Sequence, residues 1–435
     1  MATIPELERR LASFPKGYIS YKSIHGKKVA YLQYRAKEKI VSTYIRPNDL
    51  PIVIALLAER KKLEEEILLR REKEDKPLAK LSASAISLTG TLLSGDEAVA
   101  EFENNVLRWI DEDRAPLWVV RTHELSDWLS HRAIDRHRAN SRLLKKLVRL
   151  EAKDDVGVSL SAHGATLTDD YWFRPKRSKL HYQDIAFTGD AYFHLALTGD
   201  SSHLRKKPLL SPEFTTIGSY EKAWKKEEDG WWMYKKEAPM ELFSELFAAK
   251  LGERMGFPMA IYEQEGPFIK TKNFAGKANF EPAMSLLGDD EDYDSAFQAF
   301  WAIDPEIAKA YLRLIWFDSL VNNVDRHNEN YGLLRERGSG RVLSLAPNFD
   351  NNLALFARGY PQDPLRKNDG LISFFAAFLK KNPVAQEAYN EWNIPPLEEE
   401  VIHDIAKKID IPIDLDYLKT YLLSGYRQLL SFWKR

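Results

Sequence analysis

The chain has 435 residues, 63 Lys and Arg against 64 Asp and Glu, no cysteine, and a 44% hydrophobic, 12% aromatic composition. Near neutrality leaves no global field to draw nucleic acid or an anionic membrane, so any such attraction is local; the lack of cysteine excludes disulfides and thiolate chemistry and fits a reducing cytoplasm. The length exceeds one ordinary domain of roughly 100–200 residues. Neither a signal-peptide core in MATIPELERRLASFPKG nor an apolar run of the ~20 residues that span a bilayer stands out, so the expectation is a soluble cytoplasmic protein with no membrane partner.

Residues 1–76 read as a unit of their own. Tyr18 to Ile24, Val29 to Arg35 and Ile40 to Ile45 are short, aromatic and β-branched, which predicts two tight hairpins and a three-stranded antiparallel sheet. Pro47-Asn48-Asp49 then opens a long charged helix to about Lys76, with Leu56, Leu63 and Ile67 on one side. Residues 1–50 hold ten Lys/Arg and four Asp/Glu, interleaved with Tyr18, Tyr21, Tyr31, Tyr34 and Tyr44. That pattern suits a nucleic-acid platform or, more plainly, a solvated sheet whose lysines guard its edges.

Residues 77–204 read as a mixed α/β segment. Lys80 to Leu93, Val106 to Ile110 and Leu117 to Val120 have strand character, and from Ser126 a helical pattern (Leu129, Ala133) leads into HRAIDRHRANSRLLKKLVRL. Seven Lys/Arg against Asp135 alone in that run make 126–149 a basic helix that could touch nucleic acid or an acidic partner. It could equally pair with Asp111 to Asp113 or with Asp154-Asp155 of the same chain. The three aromatics of TLTDDYWFRP (Thr166 to Pro175) read as packing.

Residues 205–275 have the order of a kinase small lobe. A Ser/Thr/Gly loop, Ser211 to Ser219, precedes a strand-like run, and its small residues would let backbone N–H groups approach a triphosphate through Thr215, Thr216, Gly218 and Ser219. Trp231 to Lys236 is a buried strand ending in cations, and MELFSELFAAKLGERMG is a helix offering Glu241 or Glu245 to hold a strand lysine against phosphates. Met259 to Tyr262 and Pro267 to Lys270 predict a hairpin leading to a linker near Thr271 to Phe274, where a purine could be clamped.

Residues 276–435 read as mainly helical, with helices over Leu371 to Leu379, Glu398 to Ile409 and Leu415 to Trp433 and a solvated acidic loop at Gly288 to Asp292. The stretch that organises the chain is FDSLVNNVDRHNENYGLLRERGSGRVLSLAPNFD, Phe317 to Asp350. The apolar face of Ala308, Tyr311, Leu312 and Ile315 ends in a polar cluster, followed by a hairpin through Gly338-Ser339-Gly340 and then Asp350. Asp325 could take the proton of an attacking hydroxyl, and Asn330 with Asp350 could hold Mg²⁺ through hard oxygen ligands.

Asp325, His327 and Asn330 of DRHNEN, followed by Pro347, Phe349 and Asp350 of LAPNFD, resemble the HipA-like family of bacterial serine/threonine protein kinases, which includes toxins of toxin–antitoxin modules. The resemblance is strong over 317–350 and looser over 205–430. It implies an α+β, atypical bilobal protein-kinase-like fold with a mainly helical C-lobe, beside the small N-terminal antiparallel β/helix unit. It further implies ATP and Mg²⁺ as cofactors, a Ser/Thr hydroxyl of a protein, this chain included, as acceptor, and an antitoxin-like partner. In that reading Asp325 acts on the hydroxyl, His327 braces the loop, and Asn330 and Asp350 hold the metal. Lys235, with Lys236 as second choice, settles the α/β-phosphates and is held by Glu245; Thr215, Thr216 or Ser219 would accept a self-transferred phosphate. Two other readings are a catalytically silent ATP-responsive binding module and a metal-dependent nuclease using Asp318, Asp325, His327 and Asp350.

Overall fold

The computed structural model describes residues 87–435 except 137, 139, 151, 152, 206, 209, 219 and 433–435, and, before them, 11, 14–16, 18–24, 27–36, 39–46, 50, 53, 56, 57 and 60. The chain divides into two compact units, Met1–Ile86 and Ser87–Arg435. No helix among the described residues is long and apolar enough to cross a membrane.

In the first unit β1 (Tyr18–Ile24), β2 (Lys27–Ala36) and β3 (Lys39–Tyr44) form the expected antiparallel sheet in that order. Tyr31 lies opposite Tyr44, their rings meeting edge-on at 5.8 Å, the kind of cross-strand aromatic pair that fixes register. Ala30 and Ile45 are buried beside it. Of the long helix, Leu56 is described and Leu63 and Ile67 lie outside the described residues, as do the side chains of Tyr18, Tyr21 and Tyr34.

The second unit begins with a four-stranded antiparallel sheet in the order β6-β5-β4-β7, made of β4 (Gly90–Ser94), β5 (Glu97–Glu103), β6 (Val106–Trp109) and β7 (Tyr171–Pro175). Tyr171, Trp172 and Phe173 of β7 are buried, the packing role expected of TLTDDYWFRP. Leu117 to Val120 differs from expectation: it belongs to a helix, Leu117–Thr122. An apolar run this short fits either state, and here the Leu117 N–H donates to Glu281 Oε2 at 2.7 Å, a tertiary bond at the helix start. The basic stretch 126–149 is not one helix either; its described residues fall in two, Leu125–Ser130 and Ser141–Leu147, with a non-helical stretch between. Four of its seven cations pair within the unit. Arg138 turns inward to Glu213 at 3.2 Å, Arg132 pairs with Asp169, and Arg136 and Lys145 both reach Asp155, at 2.7 and 3.6 Å.

A second antiparallel sheet follows in the order β10-β11-β9-β8, from β8 (Lys222–Glu227), β9 (Gly230–Lys236), β10 (Tyr262–Glu265) and β11 (Phe268–Lys272). The hairpin sits a few residues later than its predicted bounds. Trp232 and Tyr234 of β9 bury on one face, against Leu195, Phe214 and Ala223, so alternation sends Lys235 to the other. The remaining part is mainly helical, and its expected hairpin, β13 (Gly332–Glu336) and β14 (Val342–Leu345), is joined by β12 (Ala278–Pro282) in a third sheet. Behind it the helix Pro305–Val321 runs through the largest core, with Ile315, Trp316 and Phe317 fully buried against Phe257, Trp392 and the helices Gly370–Lys381 and Leu415–Leu430. That core carries the polar end of the helix, Asp318, to the base of the 325–330 loop.

Candidate active site

Three pieces of chain meet at one cluster of charge. The first is the end of β9. Lys235 is central in the sheet, opposite Lys222 of β8 on one side and Ile269 of β11 on the other. Its ammonium lies 2.5 Å from Asp350 Oδ1 and 3.1 Å from Glu237 Oε1. Burial alone would lower its pKa, but Asp350, Glu237 and Glu245 together raise it well above the ordinary lysine value. Lys236 instead points outward to Glu221 at 3.3 Å.

The second piece is the helix Pro239–Arg254, begun by a proline at its first turn and docked by Ser244, whose hydroxyl donates to Ala354 O at 2.8 Å. Glu245, fully buried, accepts the Asn351 N–H at 2.8 Å through Oε1. Burial pushes its carboxyl up to about 8 against the pull of Lys235. The expected Lys235–Glu245 contact is therefore replaced: the carboxylates touching the ammonium are Asp350 and Glu237, and Glu245 serves the backbone beside Asp350. Glu241 holds the Ala238 N–H at 3.0 Å and the Tyr220 hydroxyl at 3.1 Å.

The third piece is the pair of loops at 325–330 and 348–351. The helix Pro305–Val321 ends at Asn322 in the left-handed region. Asn330 then closes the first loop, its N–H donating to His327 O at 2.8 Å and its Nδ2 to Asp325 O at 2.9 Å. His327 Nδ1 accepts the Glu329 N–H at 3.3 Å. Between the loops Arg326 donates to both oxygens of Asp318 at 2.9 Å and to the carbonyls of Asn330 and Phe349, each at 2.6 Å from the same nitrogen. It also reaches the side-chain oxygens of Asn348 and Asn351 at 2.7 and 2.9 Å. One guanidinium thus spans the residues next to both candidate metal ligands, a use of its rigid donor fork that lysine cannot copy.

Asp350 has φ 59°, and its N–H donates to the Tyr262 hydroxyl at 3.0 Å. Burial would raise its pKa, but Lys235 and Lys222 hold the carboxyl down at about 2, an anion ready for a cation. Asp325 is raised above the usual range by burial, with His327 pulling down and Asp350 adding to the rise. Oxygens of Glu237, Glu245 and Asp350 all lie within 4.8 Å of one another, a hard donor set suited to Mg²⁺. With the Asn330 amide nitrogen committed to Asp325 O, its amide oxygen is the atom left to meet an ion. Asp318, locked by Arg326 and by Asn323 at 3.2 Å, is not free to act as the nuclease reading needs.

The Ser/Thr/Gly loop differs from expectation. Thr215 donates to Ala165 O at 2.6 Å and Thr216 to Pro212 O at 2.7 Å, so both buried hydroxyls are taken by the protein's own carbonyls. Gly218, with φ +99°, lies so close to Lys222 that a Cβ there would fall 2.2 Å from Nζ. The positive φ favours glycine there, and any larger residue would also push the Lys222 ammonium aside. Ser219 lies outside the described residues. Lys222 is buried, and burial, with Lys235 beside it, lowers its pKa to about 8. Sequence reasoning passed over Lys222, Glu237, Tyr262 and Arg326. A period-2 reading of β8 and β9 could have found the first two, since Lys222 pairs with Lys235 and Glu237 follows it by two.

No protein-family model and no curated protein matches the sequence. Among solved structures, the chain is similar to the HipA toxin–antitoxin protein of Shewanella oneidensis MR-1, solved with HipB and operator DNA, at TM-score 0.51 and 12% identity over 79% of this chain and 97% of that one. It also matches the Helicobacter pylori proinflammatory kinase CtkA at TM-score 0.40 and 19% identity, over 48% of this chain and 92% of that one. The first likeness shows the fold, a mixed α/β arrangement of the HipA type.

Proposed function

We propose that this chain, which shares the fold of HipA, is an ATP- and Mg²⁺-dependent serine/threonine protein kinase. The observation that carries the reading is the convergence of Lys235, Asp350 and the 325–330 loop, with Arg326 donating to Asn330 and Phe349 through one nitrogen. Bound between Asn330 and Asp350, Mg²⁺ would neutralise charge on the β- and γ-phosphates. Lys235 and Lys222, side by side on β9 and β8, supply positive charge for the remaining phosphate oxygens. Asp325 accepts the proton of the Ser or Thr hydroxyl as its oxygen bonds to the γ-phosphorus and the bond to the bridging oxygen breaks, releasing ADP. Such assistance contributes about 10²–10⁴ in rate. His327 keeps the loop in shape.

The Shewanella HipA structure contains HipB and operator DNA. By that likeness we infer a growth-control setting for this chain, with an antitoxin-like partner. Phosphate transfer from labelled ATP into proteins of a cell extract tests the core of the reading. The wild type should label Ser or Thr, and Asp325→Asn should lose about 10²–10⁴ of the rate while keeping the Mg·ATP-induced rise in melting temperature. A wild type that neither transfers phosphate nor is stabilised by Mg·ATP overturns it.

A further inference from the structure

Glu237 follows Lys235-Lys236 at the end of β9, where a glutamate would ordinarily turn to water. Its side chain is instead fully buried, and among the described residues neither carboxylate oxygen has a hydrogen-bond partner. The ammonium of Lys235, 3.1 Å from Oε1, is the cation in contact with it. A carboxylate taken out of water with no hydrogen bond persists only where a counter-charge compensates it. Glu245 is differently placed, since its Oε1 is occupied by the Asn351 N–H at 2.8 Å.

We propose that Glu237 is the positioning residue that keeps Lys235 aimed at the nucleotide once Asp350 has turned to a metal ion. The inference rests on the kinase reading. Lys235 now shares itself between Asp350 and Glu237. When Asp350 accepts a divalent cation it competes less for the ammonium, and Lys235 needs a second carboxylate to stay put. Glu237 lies two residues along the chain, next to Lys235 without help from any other element. The lysine is thus held from its own strand, and its aim does not depend on where the helix Pro239–Arg254 sits. Glu245 instead shapes the backbone that presents Asp350.

Equilibrium affinity for ATP at saturating Mg²⁺, measured by calorimetry on the full chain, separates these roles. Glu237→Gln should weaken binding by about tenfold, and Glu237→Asp should recover part of the loss. In a Lys235→Met background Glu237→Gln should add less than about twofold, whereas Glu245→Gln should weaken binding by the same factor with or without Lys235. Wild-type affinity in Glu237→Gln, or an equal loss in both backgrounds, overturns the proposal. Should Glu237→Gln fail to fold alone, recovery of folding in the Lys235→Met/Glu237→Gln double variant carries the pairing, and failure of both overturns it. A wild type with no affinity for ATP removes the kinase reading and this inference with it.

Discussion

Two buried arginines do the same chemistry for different ends. Arg335, on β13, donates to Glu281, the Tyr171 hydroxyl, and the carbonyls of Asp113, Ala115 and Gly340, joining the β4–β7 sheet and its helices to the β12–β14 sheet. Arg326 donates as fully, but its partners are Asp318 and the backbone on either side of the two candidate ligand loops. Each is the centre of a satisfied polar network, and a network of that kind is costly to break in part. The difference lies in what is tied: scaffold to scaffold at Arg335, loop to loop at Arg326. A buried guanidinium therefore marks function only through the residues its partners adjoin.

The comparison is sharpest if Arg326 is removed. Arg326→Ala leaves Asp318 buried without its cation, which should cost about 3–5 kcal/mol in urea unfolding. Loosening both loops should lower phosphotransfer by at least about 10²-fold in the folded fraction, since misplacement of about 1 Å has that effect. Arg335→Met should cost a similar 3–5 kcal/mol by stranding Glu281, with stability partly restored in Arg335→Met/Glu281→Met. Its affinity for Mg·ATP should stay within about twofold of wild type. Equal losses of affinity in the two variants would break the distinction.

The smallest effect concerns Lys222. Its folded pKa of about 8 lies below the ordinary lysine value, so its charge costs stability at every pH below about 8. That cost fades as pH rises from about 8 toward about 10.4. Wild-type stability relative to Lys222→Met should accordingly climb across that window, as urea titrations at stepped pH would read. A bound triphosphate favours the charged form, so ATP affinity should fall, by less than about tenfold, as pH passes 8.

Much of this was legible from local pattern. The three strands of the first unit and Lys235 at the end of an aromatic strand follow from periodicity and turn residues, whereas Asp325, Asn330 and Asp350 are picked out by their chemistry and by the resemblance of DRHNEN and LAPNFD. What escaped depends on contacts far along the chain. Leu117 to Val120 is helical partly because Glu281 takes its first N–H, and Arg138 leaves the surface for Glu213, 75 residues on. β12 pairs with β13, fifty or more residues away, and has no hairpin to announce it. Glu237 was passed over because it lies just beyond the strand Gly230–Lys236, although it stands two residues from Lys235.

The left-handed backbone at Asp350 has a further consequence. A non-glycine residue held at φ 59° stores about 1–3 kcal/mol, and glycine would release it. Glycine would ease the chain bend but strip the buried Lys235 of its nearest carboxylate, whereas alanine would forfeit the oxygen and keep the strain. At this one position, backbone and side chain pull the choice of amino acid in opposite directions.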